Sequence, residues 1–151
     1  ISAFTVSHPP IEPAYGYRFD YRGRSVVISG DSNVTDKTLA IVEGADLLLH
    51  DALSLPTLTA LTEALNAEGQ SRQSKIVSDV IDYHASTDAL IELGQQSNVD
   101  MVAFYHLVPV PPTSLFEDVF LRGAPDNFLV TEDLMWFELP VGSDDIIVHR
   151  P

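Results

Sequence analysis

Apolar and polar residues alternate over 4–7 and again over 15–21, where Tyr15, Tyr17, Phe19 and Tyr21 are spaced by Gly16, Arg18 and Asp20. A two-residue period puts successive side chains on opposite faces, so both stretches predict strands. Arg22-Gly23 is a turn signal, and the β-branched run 25–29 follows it, which predicts a hairpin. The period then changes. Thr35 or Asp36 is placed to cap a helix running through Leu39, Ala40 and Ile41 to Gly44. Residues 46–49 predict a short buried strand ending at His50-Asp51. Leu58, Leu61 and Leu65 have helical spacing as far as about Glu68, the polar stretch 69–74 reads as a loop, and Ile76, Val77, Val80 and Ile81 suggest a helical or turn segment. Ser86 or Thr87 caps a helix carrying Leu90, Ile91 and Leu93 to Gly94. Residues 101–105 form the next buried strand and end at His106. Prolines 109, 111 and 112 exclude regular structure there. A short helix over 114–121 and strands near 127–130 and 134–139 complete the chain.

Strands alternating with helices predict an α/β layered fold with a mixed sheet. With 151 residues and 45% hydrophobic content, one domain spanning 1–151 accounts for the length. No apolar run approaches the roughly 20 residues that span a bilayer, so no membrane partner is expected. The compartment, cytoplasm or periplasm, stays open.

Charge narrows the partners. Eight Lys+Arg against 22 Asp+Glu give a net charge of −14. Arg18, Arg22 and Arg24 are the one basic cluster. Nucleic-acid binding normally rests on a basic surface, so a small-molecule substrate is expected over a polynucleotide. There are no cysteines, so any metal site must be built from His, Asp and Glu.

Asp31, His50-Asp51 and His106 each fall directly after an apolar strand, where α/β sheets gather ligands and catalytic groups. His84 precedes a capped helix. Each also has a plainer use: an Asp after Gly forms turns, a strand-end His packs, and Asp51 can cap a helix. The combination points to a site.

Four motifs occur in order: Ser29-Gly30-Asp31-Ser32, Leu48-Leu49-His50-Asp51-Ala52, Tyr83-His84-Ala85-Ser86-Thr87 and Phe104-Tyr105-His106-Leu107. Together with Pro13-Ala14-Tyr15-Gly16-Tyr17-Arg18-Phe19 upstream, they resemble the C-terminal half of metallo-β-lactamase-superfamily hydrolases, in the branch of ribonuclease Z and arylsulfatase-like relatives. The resemblance runs from about Phe4 to Leu139. It implies one half of an αβ/βα sandwich. It also implies a dinuclear metal site in which hydroxide attacks an ester, phosphoester or sulfate-type bond. Asp31 matches the metal-bridging aspartate and His106 the last histidine ligand. His84 resembles the histidine that protonates the leaving group. Asp51 stands for the acid that orients it, one methylene shorter than the usual glutamate. The implied cofactor is a divalent metal, zinc foremost, with manganese and iron as alternatives. His8, Tyr17 and His50 are candidates to line the substrate cleft, although a strand-end histidine beside two prolines is more often structural.

The family's His-x-His-x-Asp-His run is absent, and the five histidines include no i, i+2 pair. Two ligands are too few for a catalytic zinc, which takes about three protein ligands. The chain also opens on Ile1. Three expectations follow: a fragment whose missing N-terminal half completes the site, a natural half that pairs with a partner or with itself, or a non-catalytic, oligomeric binding module that kept the half-fold. The chain by itself is expected to be inactive.

Overall fold

The structure is a computed structural model and describes residues 1–151, the side chain of Ser114 apart. Its main sheet has six strands in the order β1 (Ser2–Val6), β2 (Ala14–Tyr21), β3 (Arg24–Ile28), β4 (Leu47–Leu53), β5 (Met101–Val108) and β6 (Phe128–Val130). β1, β2 and β3 pair antiparallel, and β3 through β6 pair parallel. The expected hairpin closes at Arg22 and Gly23, whose φ values of 50° and 83° are those a two-residue hairpin turn requires.

Four α-helices fill the connections: α1 (Asp36–Val42), α2 (Leu55–Ala67), α3 (Ser71–Asp79) and α4 (Thr87–Ser97). Because β3 to β6 follow one another in space as in sequence, right-handed crossovers bring their connections to one face of the sheet. On that face Val27, Leu48, Val102, Phe104, Phe128 and Val130 pack with Val42 of α1 and Leu90 and Leu93 of α4 into the core. The alternate residues Val26, Ile28, Leu49, Tyr105 and Leu129 are only partly buried and lie outside that cluster. The architecture is thus the expected mixed sheet with flanking helices; on the second face Leu47, Ala103 and Leu53 are buried as well, beside those partly buried positions.

Several local expectations change. His50 and Asp51 lie inside β4, not beyond its end, and His106 lies inside β5. The stretch 69–74 is not a loop: α3 begins at Ser71, and Ser74 is buried with its hydroxyl donating to the Thr62 carbonyl at 3.3 Å. Docking against α2 supplies what a polar sequence cannot signal. α4 runs past Gly94 to Ser97, with Asn98 (φ 52°) as the left-handed stop. Gly94 serves packing instead, since a Cβ there would come within 2.5 Å of the Phe128 ring. The segment expected as a short helix over 114–121 is a 3₁₀ turn, Ser114–Val119.

The C-terminus adds an unexpected strand. β7 (Trp136–Glu138) pairs antiparallel with β8 (Ile147–His149) in a separate two-stranded sheet, where the Trp136 ring stacks on His149 at 3.6 Å. Arg24 donates to the Ser143 carbonyl and pairs with Asp46 at 2.7 Å, so it ties this segment to the main sheet.

Candidate active site

β3 makes its last rung when the Ser29 N–H donates to the Leu49 carbonyl at 3.0 Å. Gly30 then turns the chain with φ 66°, and the Tyr15 carbonyl lies 2.7 Å from where a Cβ would sit, so only glycine fits. Asp31 is thereby lifted clear of the sheet. As β3 leaves, the segment carrying His84 takes its place on that edge of β4: the Leu53 N–H donates to the Ala85 carbonyl at 2.7 Å, while β5 holds the other edge.

His106 is aimed by a bulge. Asp51 pairs with Tyr105 but Ala52 pairs with Leu107, so His106 is the extra residue, with φ 43°. Bulges re-aim a side chain at the cost of one ladder position. Here the imidazole swings out of the sheet until its Nε2 is 3.4 Å from Asp31 Oδ2.

The remaining groups form a line from cleft to core. The His106 and His84 rings are 5.3 Å apart, and His84 Nδ1 donates to Asp51 Oδ2 at 2.8 Å. Asp31 and His106 are about half exposed, His84 is 7% exposed and Asp51 is fully buried. The shorter acid reaches the imidazole because Asp51 sits within the strand beside the His84 segment. His8 packs edge-on to His84, ring centroids 5.8 Å apart, and a cavity of about 270 Å³ lined by Asn33, Leu53, Ile81 and Ser86 opens beside His84.

Burial alone would push the Asp51 carboxyl up. Hydrogen bonds from His50 and His84, the nearby His50 and the Ser32 N–H outweigh that and hold it below the ordinary value. Asp51 is therefore a buried anion. Tyr105 moves the opposite way: burial raises its phenol, the Asp51 and Asp31 charges push it further, and a Ser29 contact only partly offsets them. It stays protonated as a donor beside the site. The motifs in the sequence do not single out Tyr105, whose one signal is its place immediately before His106.

The structure thus brings together His8, Asp31, Asp51, His84 and His106. Tyr17 is not drawn in: it lies on β2 opposite Ala3 and Ile28 and shares no ring contact with the histidines among the described residues. His50 is corrected outright. It is fully buried on the core side of β4, so it has no surface to offer a substrate.

As a donor set, Asp31 and His106 suit a divalent metal. Two ligands each about 2.0–2.1 Å from a tetrahedral ion lie about 3.3–3.4 Å apart, close to the spacing seen. Among the described residues no group of three or more His, Asp or Glu is disposed to hold a metal. The basic cluster does not form a surface either. Arg24 is buried against Asp46, and Arg18 is engaged by Asp20 and the Ile41 carbonyl.

No protein-family model matches the chain. Over 102 residues it is 28% identical to a putative ribonuclease Z and to a ribonuclease Z, both from Mycobacterium tuberculosis; the match covers 68% of the chain and 41% and 33% of those proteins. The chain therefore spans well under half the length of these relatives. Among solved structures it superposes on the metallo-β-lactamase fold protein YhfI from Bacillus subtilis with a TM-score of 0.58 and 14% identity, over 85% of the chain and 45% of that protein. It also superposes on a diphosphatase from the PhnP family with a TM-score of 0.54 and 20% identity, over 87% of the chain and 40% of that protein. The chain has the metallo-β-lactamase fold over part of its extent, and the relatives named above are ribonuclease Z proteins. Their names lend no support to the expectation that nucleic acid is an unsuitable substrate.

Proposed function

We propose that this chain is part of a metal-dependent hydrolase of the metallo-β-lactamase superfamily, cleaving a phosphoester-type bond. In it Asp31 and His106 are metal ligands, and His84, oriented by Asp51, is the proton donor. One arrangement carries the reading: Asp31 just beyond β3, His106 at the bulge of β5 and His84 on the segment beside β4 converge, and a buried carboxylate holds Nδ1 of His84.

A metal pair would supply Lewis-acid activation of water and of the scissile group. The chain's own residues do the rest. Asp51 fixes the His84 tautomer, so that Nε2 faces the cleft and can pass a proton to the departing oxygen. Asp31 offers two carboxylate oxygens and His106 one imidazole nitrogen as donors. Further ligands would come from a segment outside this chain. That agrees with the small share of its relatives the chain spans, and with the partly exposed apolar residues on the second face of the sheet. The phosphoester class is supported by the names of the relatives. The acidic composition and the engaged arginines favour a small substrate, and contacts to a polynucleotide would need positive charge from elsewhere.

In the complete protein, Asp31→Ala and His106→Ala should each lower bound metal and cut kcat/KM by more than about 100-fold, since outer-shell partners alone are worth about 10- to 100-fold. Full activity in Asp31→Ala would overturn the proposal. Assaying a small chromogenic phosphodiester beside a structured RNA decides the substrate size.

A non-catalytic module is the second reading. The observation favouring it is that Asp31 and His106 fall short of a metal shell among the described residues.

A further inference from the structure

His50 sits on the core side of β4 between Leu48 and Ala52, opposite Phe104, and is fully buried. A leucine would fill that place without stripping water from two ring nitrogens. Its polar contacts are confined to one residue: Nδ1 lies 2.9 Å from the Asp51 carbonyl oxygen and 3.0 Å from Asp51 Oδ1. Both are acceptors, so Nδ1 carries the proton and donates. Nε2 is buried with no partner among the described residues, and a proton there would lack an acceptor.

Asp51 therefore stands between two imidazoles. Oδ1 accepts from the Ser32 N–H at 3.0 Å and lies 3.0 Å from the His50 Nδ1–H, which also donates to the Asp51 carbonyl, and Oδ2 accepts from His84 and from the Ala85 N–H at 3.3 Å. The carboxylate torsion is broad and two-fold by nature, so what aims Oδ2 at His84 is the set of donors holding Oδ1.

We infer that His50 is a positioning residue: by holding Asp51 Oδ1 it fixes the carboxylate, and through it the His84 tautomer that presents Nε2 to the cleft. This rests on His84 being the proton donor proposed above. A neutral imidazole suits the task better than a cation would, because it anchors the carboxylate and leaves the full negative charge for His84.

The test uses the complete protein with ¹⁵N-labelled histidine at about pH 8, above the ordinary histidine pKa of about 6.5. Wild type should show His84 as the Nδ1–H tautomer, with that proton far downfield in its bond to Asp51. His50→Leu should lose or broaden this signal and mix the His84 tautomers. With bis-p-nitrophenyl phosphate, kcat should fall about 10- to 100-fold while KM stays within about two-fold. His50→Gln retains an N–H donor and should restore both. His50→Met is a second donor-free variant, so the comparison survives a packing failure of one. An unchanged His84 signal in folded His50→Leu or His50→Met overturns the inference. So does His50→Gln behaving like them. The tautomer readout needs no activity: if Asp31→Ala were fully active the hydrolase reading would fall, and the His84 signal would still decide the role of His50.

Discussion

Asp51 is the residue on which the site turns, because it is the one buried anion among the described residues and every donor around it points inward. Its carboxyl is held below the ordinary value of 3.8, so the unfolded chain binds that proton more tightly than the native state does. The stability this provides is complete above the ordinary carboxylate range and is lost as pH falls through the lower, folded value. Acid titration of unfolding should therefore show a stability loss beginning near pH 4 that is weaker in Asp51→Asn. That variant also turns an amide donor toward Ser32, His50 or His84, all of them donors. It should cost about 1–3 kcal/mol at neutral pH, measured by denaturant unfolding. Wild-type stability in Asp51→Asn would mean the four contacts to Asp51 contribute nothing.

At the scale of elements, two irregularities set the geometry. The bulge in β5 turns His106 toward Asp31, and the glycine in α4 lets that helix lie close on β6. Gly94→Ala improves helix propensity, yet its Cβ would meet Phe128 at 2.5 Å and Val102 at 3.3 Å. Phe128 is itself pinned against Phe104, ring centroids 5.8 Å apart. Overpacking should win, costing about 1–3 kcal/mol in thermal unfolding. A stabilised Gly94→Ala would show that the Phe128 ring can move aside. Neither irregularity has a clear sequence signal. By sequence Gly94 reads as a helix stop and His106 as a strand end, because helices commonly end at glycine and a bulge is visible only against its partner strand.

For the molecule as a whole, the sheet carries helices over the core face, while Val26, Ile28, Leu49, Tyr105 and Leu129 remain partly exposed on the other. An apolar sheet face of this kind is a docking surface or an aggregation liability. The isolated chain should bind a hydrophobic dye and self-associate in light scattering. Both should fall away when the rest of the protein is supplied. A stable, metal-free oligomer of the chain alone would instead favour the binding-module reading.

The sequence by itself determined the order of the strands and helices up to β7, the hairpin at Arg22-Gly23, the capped starts of α1 and α4, and the residues Asp31, Asp51, His84 and His106 as site candidates. These rest on local periodicity, turn chemistry and short motifs, which the chain carries residue by residue. Only the tertiary structure decided that α3 starts as early as Ser71, that Tyr17 stays apart, that Arg24 is internal and that His50 faces the core rather than the cleft. The physical reason is parity. Along β4 one residue separates the core face from the site face, so His50 and its neighbour Asp51 meet opposite surroundings. Which of the two is buried for structure and which for chemistry depends on what the rest of the fold packs against each side.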